Sequence, residues 1–271
     1  AAAYYHTAMS IGPEAIEQVS ASLENATGAI RAALNQSDDL SDAQRDDVEA
    51  LVQRIIDLAS RSVKEGKADV GALLLANQSD FQFVFGGFVA DGNEAAQIVK
   101  DLAAKIQNEP NAPEFSFDLS SYKGVSMHLV EADVPEGEDE LQKMFGPKLR
   151  VHVGTGAKSV FVAVGKDSET LMKQLIDSGA SDQGAVRPVG QFRVKLLPIL
   201  QYAQSIETNE VIAAMIDTLS RATDGGDVMV VQKSIANGQE SRMMISEGLL
   251  QAIGSAVRQV QQQQMQNQGN F

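Results

Sequence analysis

The sequence predicts an α+β protein: an N-terminal helical hairpin followed by antiparallel sheet, built from loosely repeated ββα units with helices on one face. Three observations carry this reading. Residues 1–67 hold apolar stripes at helical spacing, and from Asp69 onward short β-rich runs are broken by Gly, Asn and Asp. Three segments, 69–107, 149–178 and 227–260, share a hairpin-then-helix order, passing into the helix through a turn that holds Asp91, Asp167 or Ser246.

The elements follow in order. Ile16, Val19, Leu23, Ala26, Ile30 and Ala33 alternate spacings of three and four, which puts them on one helix stripe behind Pro13 in the first turn. Residues Asn35 to Asp39 break the pattern. Ser41 then offers an N-cap that Gln44 completes as a capping box, opening a second helix with Val48, Leu51, Ile55 and Leu58 inward and an end near Gly66. Val70 to Ala76 and Phe81 to Ala90 are strands joined by the turn Asn77-Gln78-Ser79-Asp80, and a helix follows over 93–107. Pro110 and Pro113 mark a loop. Phe115 to Leu119 and Val125 to Ala132 are the next strands, and a short helix ends before Gly146-Pro147.

Leu149 to Val153 and Val160 to Val164 form another hairpin, leading to an Asp167-capped helix with Leu171, Leu175 and Ile176 inside. Ser178 to Gly184 reads as an interior linker. Gln191 to Leu196 is a strand running into a helix around Pro198, and Asn209 starts a further helix. Asn237-Gly238 is a strong hairpin signal between Val228–Val231 and Ser241–Ile245. The closing helix, Leu249 to Val260, is expected to dissolve into a frayed glutamine tail. The expected domains are a helical hairpin at 1–67, a first α+β unit at 68–180, a second at 185–260 packed on the first, and a Gln-rich tail at 261–271.

Composition narrows the function classes. The chain has 271 residues, 44% hydrophobic and 21% charged, and 36 acidic against 22 basic side chains leave a net charge of −14. Such a surface repels phosphate backbones and anionic lipid heads, and the largest basic group is a loose Arg187, Arg193, Lys195 set. Nucleic acid is therefore not an expected partner. The longest apolar runs, such as Val70 to Ala76, are too short to span a bilayer as a helix. The absence of cysteine removes disulfides, thiolate zinc sites and cysteine nucleophiles. Ala1-Ala2-Ala3-Tyr4-Tyr5 reads either as the trailing edge of a removed signal peptide or as the point where a fragment begins.

Candidate sites are sparse. Gly154-Thr155-Gly156-Ala157-Lys158-Ser159 is a β-turn and not a phosphate loop, because Ala157 and His152 stand where that loop needs glycine and a strand follows. His128 and His152 lie in strands, with His6 in what reads as a frayed start. Alternation puts both opposite their strands' apolar residues, which predicts two solvated histidines on a polar face. Were neighbouring strands to bring them together, Glu131 or Asp133 could complete a weak divalent site; no ligand spacing supports one, and no metal or cofactor is assigned. The acidic clusters Asp38-Asp39, Asp46-Asp47, Glu136-Glu138-Asp139-Glu140 and Asp224-Asp227 lack the register of a calcium loop. Phe81, Phe83 and Phe85 share one strand face, read as core, with a hydrophobic ligand groove as the alternative. Met229, Met243 and Met244 on the last hairpin discriminate nothing.

Val160 to Gly165 ahead of an acid-capped helix, Gln191 to Leu196 leading into Leu197-Pro198-Ile199-Leu200, and Ile235-Ala236-Asn237-Gly238 ahead of Ser246-Glu247-Gly248-Leu249-Leu250 together resemble uncharacterised exported bacterial proteins of the planctomycete type. The resemblance covers roughly 69–260, rests on structural motifs, and implies export to the periplasm or outside the cell with no activity attached. No catalytic residue is assigned. The expected role is a non-catalytic module that binds a partner protein or an apolar small ligand. The alternatives are a hydrolase whose carboxylates assemble only in the fold, and an oligomerising envelope component that self-associates through residues 13–64.

Overall fold

The structure is a computed structural model that describes residues 1–36, 41–78, 80–180, 188–236 and 238–268. In chain order its elements are β1 (Ala3–Ser10), α1 (Pro13–Gln36), α2 (Asp42–Lys64), β2 (Lys67–Asn77), β3 (Asp80–Phe88) and α3 (Gly92–Ile106). β4 (Glu114–Tyr122), β5 (Val125–Asp133), α4 (Asp139–Phe145), β6 (Lys148–Gly156), β7 (Ser159–Gly165) and α5 (Ser168–Ala180) follow. The last are β8 (Gly190–Lys195), α6 (Leu196–Ile206), α7 (Glu210–Arg221), β9 (Asp227–Ile235), β10 (Gly238–Ile245) and α8 (Glu247–Gln268).

The protein is α+β. The strands form one sheet of ten, in the order β10-β9-β8-β1-β2-β3-β7-β6-β5-β4, with antiparallel ladders throughout. The N-terminal hairpin is α1 packed on α2, and the ββα order recurs in β2-β3-α3, β6-β7-α5 and β9-β10-α8. β4-β5-α4 is a fourth unit with the same order.

Local chemistry sets many of the boundaries. The Ser41 hydroxyl accepts the Gln44 N–H at 3.3 Å while the Gln44 side chain accepts the Ser41 N–H at 3.0 Å, closing the capping box at the head of α2. The Asp91 carboxylate accepts the N–H groups of Asn93 and Glu94, and the Asn209 side chain those of Val211 and Ile212, at the heads of α3 and α7. The expected phosphate-loop lookalike is a hairpin turn, with Gly156 paired to Ser159.

The structure corrects the sequence reading at three places. The N-terminal residues are not frayed: 3–10 form β1, bonded to β2 on one side and β8 on the other, so the two α+β units lie within one continuous sheet. The closing helix does not dissolve at Val260 but runs through the glutamines to Gln268, since glutamine is a good helix former and Gln259 and Gln263 both donate to Glu210. The helices also do not all share one face. The central strands are apolar on both sides, so both need cover. Phe161 packs with α5 in a core of Val84, Met127, Ala163, Leu171, Met172 and Ile176. Its neighbour Val160, pointing the other way, packs with Leu51, Leu58, Ala95 and Ile98 of α2 and α3. Two expected punctuation signals, most of the 178–184 linker and Asn237, lie outside the described residues, as do Ser79 and residues 37–40.

α3 is seated by a close backbone approach. Gly92 donates to the Ala157 carbonyl at 3.0 Å, and a Cβ on Gly92 would lie 1.7 Å from the Gly156 oxygen. That contact is with backbone, so the helix must shift to admit a side chain. Gly28, mid-way along α1, has nothing within 4 Å of its Cβ position. Gly92→Ala is expected to lower unfolding free energy by about 1–3 kcal/mol, and Gly28→Ala to raise it by about 0.5–1 kcal/mol. Urea unfolding of the two variants beside the parent protein checks both signs.

Candidate functional site

The candidate site emerges from the strand registers. On the side of the sheet that carries α3, directly opposed residues form a row Val153–Val162–Phe85–Ala72–Tyr5–Phe192–Val230–Met243 across β6 to β10. Beside it runs a second row, Val151–Val164–Phe83–Leu74–Ala3–Val194–Val228–Ile245. Each row has a β-branched, aromatic, methionine, leucine or alanine residue at every position, a pattern proper to a buried face.

Only part of this face is buried. α2 and α3 lie over the β6–β7 end, and Tyr202 of α6 stacks on Phe81 at 5.4 Å between ring centroids. Between and beyond them the face is open. Phe83, Phe85, Tyr5, Phe192, Met243 and Ile245 keep 37% to 63% of their surface exposed. With large side chains offering 150–250 Å² each, this is an apolar surface on the order of 500 Å², as large as the largest patch a monomer ordinarily shows. The expectation that Phe81, Phe83 and Phe85 are core is thus not met: Phe83 and Phe85 are exposed, and Phe81 is partly buried against Tyr202 and Phe145. A second apolar stripe, Leu250, Ile253, Val257 and Val260, lines the outer side of α8, whose inner side buries Leu249 and Ala252.

The histidines turn out otherwise than expected. His128 is directly opposite Val153, and His152 opposite Leu129, so the two rings point to opposite faces of the sheet and share no site. Neither is solvated. His128 is 1% exposed; its Nδ1 accepts the Asp118 N–H at 3.0 Å, which leaves Nε2 to donate to the Thr155 hydroxyl at 2.9 Å. Asp118 lies at the irregularity in the β4 ladder with a left-handed φ of 54°, so the imidazole satisfies an N–H that the ladder has lost. His152 is half-buried against Ser168, with Nδ1 2.9 Å from its fully buried hydroxyl. Glu131, one of the two carboxylates considered for a divalent site, accepts from Arg150 at 2.8 Å. The other, Asp133, lies across from Lys148 in the register. Among the described residues no group of three His, Cys, Asp or Glu side chains is placed to hold a metal ion.

The acidic residues serve the frame. Asp47 pairs with Lys105, tying α2 to α3, and Asp227 pairs with Arg193. Asp224 accepts the Gly248 and Gly226 N–H groups, which lower its pKa. Asp177 is lowered by Lys123 and then Tyr122, Glu169 by Lys173, Asp101 by Arg54, and Asp118 by Lys100. Each carboxylate with a displaced pKa is thus held in its charged form, the reverse of what a general acid requires. Of the basic trio, Arg187 lies outside the described residues. A cleft of about 400 Å³ beside α4, lined by Phe145, Pro147, Lys148, Arg150 and Lys166, stands apart from the apolar rows.

No protein-family model, curated protein or solved structure matches this chain. Sequence reasoning singled out Phe83, Phe85 and Met243, and missed Tyr5, Phe192 and Ile245 as members of the same surface. Alternation within each strand carries the signal for them, but only the register brings the six onto one face.

Burial lowers the pKa of His128 below its usual 6.5, against a smaller upward pull from Asp118. His152 is lowered for the same first reason. A folded-state pKa below the unfolded one means that the unfolded chain binds the proton more readily. The stabilisation is therefore complete above the unfolded value and drains as pH falls through it to the folded value. Denaturant unfolding is expected to show lower stability at pH 5 than at pH 7.5, with a smaller difference in His128→Asn.

Proposed function

We propose that the protein is a non-catalytic exported module that docks a partner protein on the open apolar face of its sheet. The single observation behind this is the part of the paired apolar rows that α2 and α3 leave open, with Phe83, Phe85, Tyr5 and Phe192 at its centre. Burial of such a surface is the main favourable term in association, and aromatic residues and methionine are the types enriched at the centre of interfaces.

Shape favours a protein over a small ligand. A small-molecule site encloses most of its ligand in a concave pocket, whereas these side chains stand side by side on a broad sheet face. A net charge of −14 favours a partner whose rim is neutral or basic, and raises the on-rate for a basic one. Among the described residues no helix is long and apolar enough to cross a membrane. Export to the periplasm or outside the cell rests on the resemblance of residues 69–260 described above.

Photo-crosslinking reads the docking face directly. With a benzophenone amino acid at Phe85 or Phe192, expressed in the source organism, a discrete adduct of protein mass is expected at both positions and none at exposed Leu119 on β4. An adduct of lipid or metabolite mass instead would move the reading to an apolar small ligand, and equal adducts at all three positions would remove it. Phe85→Ser and Phe192→Ser should abolish the adduct formed at the other position while changing stability by only about 1 kcal/mol, since neither side chain is core.

A further inference from the structure

The two edges of the sheet differ in a way that assigns one of them an occupant. β4 is a blunted edge: its ladder to β5 shifts register between Ser116 and Ser120, and Asp118 within the shift is left-handed. Bulges of this kind bend an edge away from further pairing. β10 has no such device. Its eight residues pair with β9 in unbroken register, every one but Met244 is exposed, and no helix makes substantial contact with it. Its outer N–H and C=O groups face solvent along the whole strand.

Charge on β10 decides what that edge accepts. Charged side chains protect an edge where they meet like charges on an incoming strand. β10 instead carries Glu240 and Arg242, two positions apart and so on one face, and neither makes an ion pair with the described residues. Such a strand is complementary to itself. When two copies lie antiparallel about a two-fold axis, opposed residues must share a face, which restricts the centre to particular positions. Centring on Glu240 opposes two glutamates, and centring on Arg242 opposes two arginines. Centring on Ser241 opposes Glu240 to the partner's Arg242 and Arg242 to the partner's Glu240, two ion pairs from one strand. Centring on Met243 shortens the overlap and leaves Arg242 facing methionine.

We propose that a second copy of this chain pairs antiparallel along β10, with the two-fold axis at Ser241. The interface is isologous and extends the ten-stranded sheet through the axis without changing face, with Met243 opposite Gln239 of the second copy. This goes beyond docking on the sheet face and does not depend on it, since the edge and the face present different groups.

The chain has no cysteine, so a single introduced one reports the register cleanly. Residues opposed across an antiparallel pair have Cα atoms about 4.5–5.5 Å apart, within disulfide reach. Ser241→Cys in the full chain, treated with a mild oxidant, is expected to form a disulfide-linked dimer. Met243→Cys, whose two copies would lie about 13 Å apart along the strands, is expected to stay monomeric on denaturing gels. Linkage at position 243 as strong as at 241, or at neither, overturns the proposal. Sedimentation equilibrium tests the charges independently. Glu240→Arg should weaken the dimer about tenfold or more, and Arg242→Glu added to it should restore the parental constant. A parent protein that remains monomeric from micromolar to millimolar concentration also overturns the proposal.

Discussion

β1 is the strand on which the sheet depends. Its residues carry two ladders at once, Ala3 to Ser10 along β2 and Ala3 to Thr7 along β8, and no other strand joins the halves. Around it the seams are tightened by Ala2, which donates to Leu74 and accepts from Lys195, and by the Thr7 hydroxyl, which donates to Val189 at 3.1 Å. The second tie is α6, where Tyr202 reaches from the β8 side to stack on Phe81 of β3. Without β1, β2 and β8 would each present an unpaired edge in the middle of the molecule.

Cover is distributed unequally around that strand. α5 closes one side of β3, β7 and β6, and α2 with α3 closes part of the other. The remaining helices, α7 and α8, pack chiefly on each other and through α7 on α6. What stays open has an energetic scale. At about 25 cal/mol per Å², an area on the order of 500 Å² has a gross transfer value near ~12 kcal/mol. That is the size of the translational and ordering cost of association, about 4–15 kcal/mol. Area alone therefore does not carry association on this face; the fit of a partner's side chains between Phe83, Phe85, Tyr5 and Phe192 would have to supply the surplus.

The parts of the fold that could be read in the sequence are those whose cause is local. Ser41 and Gln44, Asp91 and Asn209 cap helices through neighbours two or three residues away, and the hairpins turn over a few residues. β1 could not be read this way. Ala-Tyr-Tyr-His-Thr-Ala-Met-Ser is eight residues long, polar at several positions, and made into a strand by partners some 60 and 180 residues further on. The same limit governs the site. Parity within β5 and β6 placed His128 and His152 correctly relative to their own strands. Which faces coincide is decided by the pairing of Leu129 with His152, and that is a property of the register. Their burial was invisible for a related reason: it comes from the lost ladder N–H at Asp118 and from Ser168 on a later helix.

The position of β1 also orders the events of folding. Its partners arrive at very different times during synthesis, since β2 follows after the α1–α2 hairpin while β8 follows only after some 180 residues. Until then β1 has one satisfied side and one bare edge, next to the aromatic residues of β3. Closing a contact over that sequence distance is slow, because the loop entropy is lost before the ladder forms. A chain that holds only the first half thus carries in its middle the kind of bare edge that the finished sheet keeps at its rim, and exposed edges of that kind favour association between chains.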